Sequence, residues 1–298
     1  MLDLFKAVLM GVVQGVTEFL PISSSGHLAL FKHILHMDDI SDTFDVILHI
    51  GTLIAVFAIY RKDILRLFVN GIALCADFCM NVKMFVYDRT IMKKEVKYIR
   101  VINTAYRKFA LLVIVSTIPT GLMGYFGQNV VEQAGRTLVV PGICLLITGV
   151  ILLISDNVEG GVKTPKRTTY TDAVIMGIVQ GFATLPGISR SGSTITAGVA
   201  LGLRRDFAVK YSFIMSIPAI LGAAVLKVGN MIDEPVESSQ LTSYLIGMLV
   251  SAVVGYICIK TLLVLLKGRR FKYFAYYCFA VGGISIVWYI GSILLQKF

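Results

Sequence analysis

Charge is scarce in this chain. Only 15% of its 298 residues are Asp, Glu, Lys or Arg, against 56% hydrophobic, and the mean hydropathy is +0.78. A soluble domain cannot hide that much apolar surface, so a soluble fold is excluded and a polytopic membrane protein is expected. Cysteine is sparse and odd in number: Cys75, Cys79, Cys144, Cys258 and Cys278 lie scattered. Cys75 and Cys79 could share a helical face, but no paired His or Cys completes a metal set. The thiols read as inert, and no protein-held metal is expected. A basic n-region and a small-residue cleavage site are both missing from the opening MLDLFKAV, so no removable signal peptide is expected.

What charge there is carries a net +10, and its distribution argues against a nucleic-acid partner. Eleven Lys/Arg fall in residues 61–108, three in 156–172, three in 204–210 and five in 260–272. They lie between apolar runs or near their ends, as in cytoplasmic loops. Six runs are long enough to cross a bilayer as helices: 43–60, 109–126, 138–155, 207–227, 241–266 and 273–294. The alternate connections are acidic or nearly neutral. They carry Asp38, Asp39 and Asp42; Glu132 with Arg136; and Asp233, Glu234 and Glu237. These are placed outside and the basic loops inside, with both termini outside. Residues 61–108 are the one long hydrophilic excursion, expected as an amphipathic segment on the anionic cytoplasmic leaflet.

Two segments remain, and they are copies. Residues 7–27 read AVLMGVVQGVTEFLPISSSGH and residues 173–193 read AVIMGIVQGFATLPGISRSGS, with eleven of twenty-one positions identical. Each is an apolar helix, a Pro/Gly/Ser break and a second helix of about 12–15 residues, too short to span. Each is therefore expected to be a re-entrant hairpin. The first enters from outside and the second from inside, because three spans lie between them. The expected fold is an all-α integral membrane protein forming a single membrane domain. It is an inverted-topology repeat, each half a re-entrant helical hairpin plus three transmembrane helices. Repeat 1 covers 1–155 and repeat 2 covers 171–298. Such repeats set their broken helices near the bilayer midplane.

The differences between the copies carry the chemistry. Glu18 faces Thr184, Ser24 faces Arg190, and His27 faces Ser193. Gly11, Gln14, Gly15 and Glu18 lie on one helical face, repeated by Gly177, Gln180, Gly181 and Thr184; the glycines suit close helix packing. An ionised Glu18 inside a membrane costs about 2.5–3.5 kcal/mol on insertion scales, and Arg190 bears the same kind of cost. Each can offset the other, or both can meet a polar ligand. The breaks Pro21–His27 and Pro186–Gly192 look like helix starts, with Pro in the first turn and Ser as cap. Two facing helix starts, five serine hydroxyls and one guanidinium form a phosphate-binding inventory. Ser24 and His27 share a face. The serine could attack phosphorus with the imidazole as base and Glu18 fixing its tautomer; His27 as nucleophile is the rival. His33, His36 and His49 read as packed or interfacial.

These residues resemble the bacitracin-resistance type of undecaprenyl-diphosphate phosphatase. The family's first motif is matched by Gln14-Gly-Val-Thr-Glu18 and Pro21-Ile-Ser23-Ser24-Ser25-Gly26-His27. Its second is matched by Pro186-Gly187-Ile188-Ser189-Arg190-Ser191-Gly192-Ser193-Thr194. Gln14 stands where many members carry a second Glu, which weakens any two-carboxylate metal site. The resemblance implies hydrolysis of undecaprenyl diphosphate to undecaprenyl phosphate and phosphate. It also implies recycling of the lipid carrier for cell-wall synthesis, bacitracin resistance, and a site opening to the extracytoplasmic side of the bacterial cell membrane. Catalysis is then expected from Ser24, His27, Glu18 and Arg190. Substrate phosphate would be held by Gln14, Ser23, Ser25, Gly26, Ser189, Ser191, Gly192 and Thr194. Any Mg2+ or Ca2+ would come with the substrate diphosphate. The partners are a polyprenyl diphosphate lipid and the membrane; the sequence leaves the oligomeric state open. A lipid-phosphate flippase using the same anion site is the alternative, since broken helices at mid-membrane are also transporter architecture. The other membrane phosphatase superfamily, which needs a second histidine after its Ser-Arg, is excluded: no histidine follows Arg190 through Phe298.

Overall fold

The computed structural model describes residues 2–37, 40–87, 98–233, 238–265 and 271–295. Asp38, Asp39, Glu234 and Glu237 of the acidic connections lie outside the described residues, as do residues 88–97 of the basic excursion and Lys267, Arg269 and Arg270. The described residues form eleven helices: α1 Leu4–Phe19, α2 Ser24–Ile34, α3 Asp42–Tyr87, α4 Ala105–Phe126, α5 Gln128–Gly135, α6 Val139–Asn157, α7 Tyr170–Phe182, α8 Arg190–Ala200, α9 Arg205–Asp233, α10 Ser238–Leu265 and α11 Phe271–Leu295. Six of them (α3, α4, α6, α9, α10 and α11) are long and apolar enough to cross a membrane. Among the described residues they cover the six runs read from the sequence to within a residue or two at the ends. The four motif helices are too short: α1 has 16 residues, α7 has 13, and α2 and α8 have 11 each.

The helix ends follow from local chemistry. The Asp3 side chain accepts from Lys6 N at 2.8 Å and starts α1. Thr169 and Asp172 form a capping box on α7, and Lys163 pairs with Asp172 at 2.9 Å. Asp156 at the end of α6 accepts from the first N–H groups of α11, Phe271 at 3.0 Å and Lys272 at 2.7 Å. The prolines of the two breaks fall before the caps rather than in the first turns. The N-caps are Ser23 and Ser189, so Pro21 and Pro186 shape the turn that precedes each.

Packing is reciprocal between the two halves. Helix α1 lies along α10, α7 lies along α4, and α6 pairs with α11, while α9 packs on α3, α4 and α8. The motif glycines make this contact close. A Cβ on Gly15 would lie 2.8 Å from Val254 Cβ, and one on Gly177 would strike the Ser116 carbonyl and come 2.6 Å from Pro119 Cγ. Gly177→Ala is therefore expected to destabilise by about 1–3 kcal/mol through overpacking. Gly121→Ala in α4, where a methyl meets nothing within 4 Å among the described residues, is expected to stabilise by about 0.4–1 kcal/mol through the unfolded chain. Thermal unfolding in detergent should move in opposite directions for the two.

Helix α3 bends at Tyr60 (φ −98°, ψ 17°) and runs on for 27 residues to Tyr87. One side of this extension is pinned by polar contacts. Asp63 accepts from Tyr106 at 2.9 Å and Lys210 at 3.0 Å, Arg107 pairs with Asp77, and the Asn81 amide brackets Ile99. Leu65, Phe68, Val69 and Ile72 are exposed.

The turn between α7 and α8 is held at the middle of α6. Thr148, tenth of the nineteen residues of α6, holds the second tip: it donates to Gly187 O and accepts from Ser189 N, both at 2.9 Å. Gly15 lies against Ser251, the fourteenth of the 28 residues of α10.

Candidate active site

The two helix starts face each other, as the repeat suggested they could. A Cβ on Gly26 would come 2.9 Å from Gly187 Cα, and one on Gly192 would come 3.2 Å from Pro21 Cβ. Gly187 has φ +96°, so glycine is needed there both for the turn and for the approach. Ser23 Oγ caps Gly26 N at 3.3 Å and Ser189 Oγ caps Gly192 N at 3.0 Å. The serines pair alike on both sides, Ser23 with Ser25 at 3.3 Å and Ser189 with Ser191 at 3.4 Å. One asymmetry stands out. Ser23 has φ 71° where Ser189 has φ −72°, so backbone strain sits immediately before Ser24 and nowhere in the matching turn.

Glu18 is the hub that joins the hairpins. The carboxylate is buried. Its Oε1 accepts from Arg190 at 2.5 Å, and its Oε2 accepts from Ser24 Oγ at 2.5 Å and from Gln14 Nε2 at 3.1 Å. His49 Nε2 is 3.6 Å from Oε2. The charge is thus paired and hydrogen-bonded, which is what a carboxylate at this depth requires. Two buried polar atoms of this cluster have no hydrogen-bond partner among the described residues: Arg190 Nη1 and Gln14 Oε1.

His27 stands apart from that hub. Its Nδ1 lies 2.7 Å from the Ser23 carbonyl oxygen and its Nε2 lies 2.9 Å from the Tyr277 hydroxyl. This corrects the triad expected from sequence. Glu18 does not orient His27, and the hydrogen bond of Ser24 goes to Glu18. The reason is geometric: α2 turns its Ser24 toward the end of α1, while His27, three residues on, points across to α11. The Thr194 hydroxyl bonds Arg190 O at 2.7 Å and Ser212 Oγ at 2.6 Å, so it joins the first turn of α8 to α9. Gln14, Ser23, Ser25, Gly26, Ser189, Ser191 and Gly192 lie at or beside the facing tips.

Three site neighbours escaped the sequence reading. Thr148 left a signal, a hydroxyl at the middle of an apolar span. His49, expected as packed or interfacial, comes beside Glu18 through the way α3 packs. Tyr277 is one of several tyrosines in α11, with nothing local to mark it. Among the described residues there is no group of three or more His, Cys, Asp or Glu able to hold a metal. Glu18 is a single carboxylate with both oxygens engaged, one of them by a guanidinium. That donor set does not suit a divalent cation held by the protein.

A family model described as bacitracin resistance protein BacA matches residues 7–284. Three similar proteins bear the name undecaprenyl-diphosphatase. The protein of Methanosphaera stadtmanae is 41% identical over 96% of this chain and 98% of its own. That of Alkaliphilus metalliredigens is 39% identical over 95% and 98%, and that of Methanobrevibacter smithii is 39% identical over 98% and 99%.

Proposed function

The chain belongs to the bacitracin resistance protein family, and from that membership we propose that it hydrolyses undecaprenyl diphosphate to undecaprenyl phosphate and phosphate. The observation that carries the mechanism is the Ser24–Glu18–Arg190 cluster, assembled from opposite hairpins. Ser24 Oγ attacks the terminal phosphorus and its proton passes to Glu18 Oε2. The bond from phosphorus to the bridging oxygen breaks, and undecaprenyl phosphate leaves. Arg190 turns its fork from Glu18 to the transferring phosphoryl group. The N–H groups of α2 and α8 and the serines around them supply the remaining donors. Water then attacks the phosphoserine, giving its proton to His27 Nε2. Ser24 takes its proton back from Glu18 as phosphate departs, and His27 returns the extra proton to the solvent.

A carboxylate hydrogen-bonded to a serine favours hydrolysis over simple transport, which needs no nucleophile. Since the residues present do not fit a protein-held cation, any divalent ion travels with the substrate diphosphate. The partner swap of α1 on α10 and α7 on α4 supports reading residues 1–155 and 171–298 as inverted copies in a multi-pass cell-membrane protein. The site then opens to the extracytoplasmic face. The exposed apolar side of α3 beyond Tyr60, among basic residues, supports an interfacial helix on the inner leaflet.

Rapid quenching after brief exposure to substrate labelled in the terminal phosphate tests the chemistry. Phosphoserine at Ser24 is the expected adduct. A phosphohistidine at His27, or phosphate release with no adduct at any time, would replace the serine mechanism by another.

A further inference from the structure

His27 is gripped at both ring nitrogens. A carbonyl oxygen only accepts, so the contact with Ser23 O at 2.7 Å places the proton of the neutral ring on Nδ1. Nε2 is then the bare nitrogen, and the Tyr277 hydroxyl 2.9 Å away must donate to it. The imidazole and phenol planes are nearly parallel, 6° apart with centroids at 5.5 Å, so Tyr277 also limits how the imidazole can tilt. His27 itself is buried. Tyr277 comes from α11, which packs along α6, the helix whose Thr148 holds the second tip. The histidine of one hairpin is therefore registered against the frame that positions the arginine of the other.

We propose that Tyr277 is a positioning residue for the reaction, setting His27 as a proton acceptor at Nε2. A hydroxyl is both donor and acceptor. Tyr277 donates to Nε2 while the ring is neutral, yields as water approaches, and turns its oxygen lone pair to Nε2–H once the proton has arrived. Phenylalanine would keep the ring packing and lose both roles. The proposal rests on the reading of His27 as the acceptor of the proton of water.

Full-length Tyr277→Phe, His27→Ala and the double variant should be compared in detergent micelles by steady-state turnover of a prenyl diphosphate. Tyr277→Phe is expected to lower kcat about tenfold to hundredfold, the scale of one hydrogen bond to a proton carrier, with KM nearly unchanged. The double variant should be no slower than His27→Ala, because Tyr277 acts through that ring. In protein carrying 15N-labelled histidine, the Nε2 resonance of His27, assigned by its loss in His27→Ala, should shift in Tyr277→Phe. Wild-type kcat in Tyr277→Phe overturns the positioning role. So does a double variant slowed further than His27→Ala by the factor that Tyr277→Phe costs alone. Both outcomes leave the role of His27 standing. Wild-type turnover in His27→Ala overturns the underlying reading instead.

Discussion

Arg190→Ala is expected to lower turnover about a thousandfold or more. Arginines that stabilise a transferring phosphoryl group are worth roughly 10³–10⁵ in rate. The fork of Arg190 has one nitrogen on Glu18 and the other, Nη1, buried without a partner among the described residues, so it can bind a phosphate oxygen at modest cost. Arg190→Lys keeps the charge but loses the planar fork, and should recover only part of the rate. The rival account is a structural ion pair. Removing one partner of a buried pair costs about 3–5 kcal/mol, because the other charge is stranded, whereas removing both can be neutral. The double variant Glu18→Ala/Arg190→Ala separates the accounts. It should melt closer to wild type than Arg190→Ala does and still be inactive. A double variant with near-wild-type turnover would reduce the pair to a structural role.

Much of this architecture was legible in the sequence because the membrane enforces it. An apolar run of about twenty residues has few alternatives to a spanning helix, and each of the six runs falls on a spanning-length helix, its ends inside that helix to within a residue or two where they are described. The break residues were readable for a similar reason. Ser-rich helix starts and a glycine at φ +96° have local causes that the sequence records. Pairing of Glu18 with Arg190 is one of the two outcomes that energetics allows, since neither charge tolerates burial alone. The partner of His27 was not legible. Spacing on α2 sets which residues share a face, but not which neighbour that face meets. Glu18 and His27 are nine residues apart across a turn, and Tyr277 is 250 residues away. The Ser23 strain was hidden too, because nothing in a serine announces a positive φ. His49 could be placed in a span, but its approach to Glu18 depends on how α3 packs on α1.

Glu18→Gln and His27→Ala should fail at different steps, and this divides the labour of the two groups. Glu18 Oε2 lies 2.5 Å from Ser24 Oγ, so it is the group able to take the proton of the serine. Glutamine keeps the size and still accepts through its carbonyl oxygen, but as a base it is negligible. Glu18→Gln is expected to lose about 10³-fold or more in turnover, combining lost base catalysis of about 10²–10⁴ with a weakened grip on Arg190. It should show no burst of undecaprenyl phosphate in a single-turnover experiment, because the first half-reaction is blocked. Ser24→Ala should match it in rate and leave no phosphorylated residue. His27→Ala should behave differently. With its Nε2 directed at Tyr277 rather than Ser24, His27 is not needed to form the phosphoserine. The variant should release about one equivalent of undecaprenyl phosphate quickly, accumulate phosphoserine at Ser24, and then stall, with a steady-state rate lower by roughly 10²–10⁴-fold. A His27→Ala enzyme without a burst, together with a Glu18→Gln enzyme that retains one, would reverse the assignment. The histidine would then be the base for Ser24, and its hold on Tyr277 would be a resting state that substrate must break.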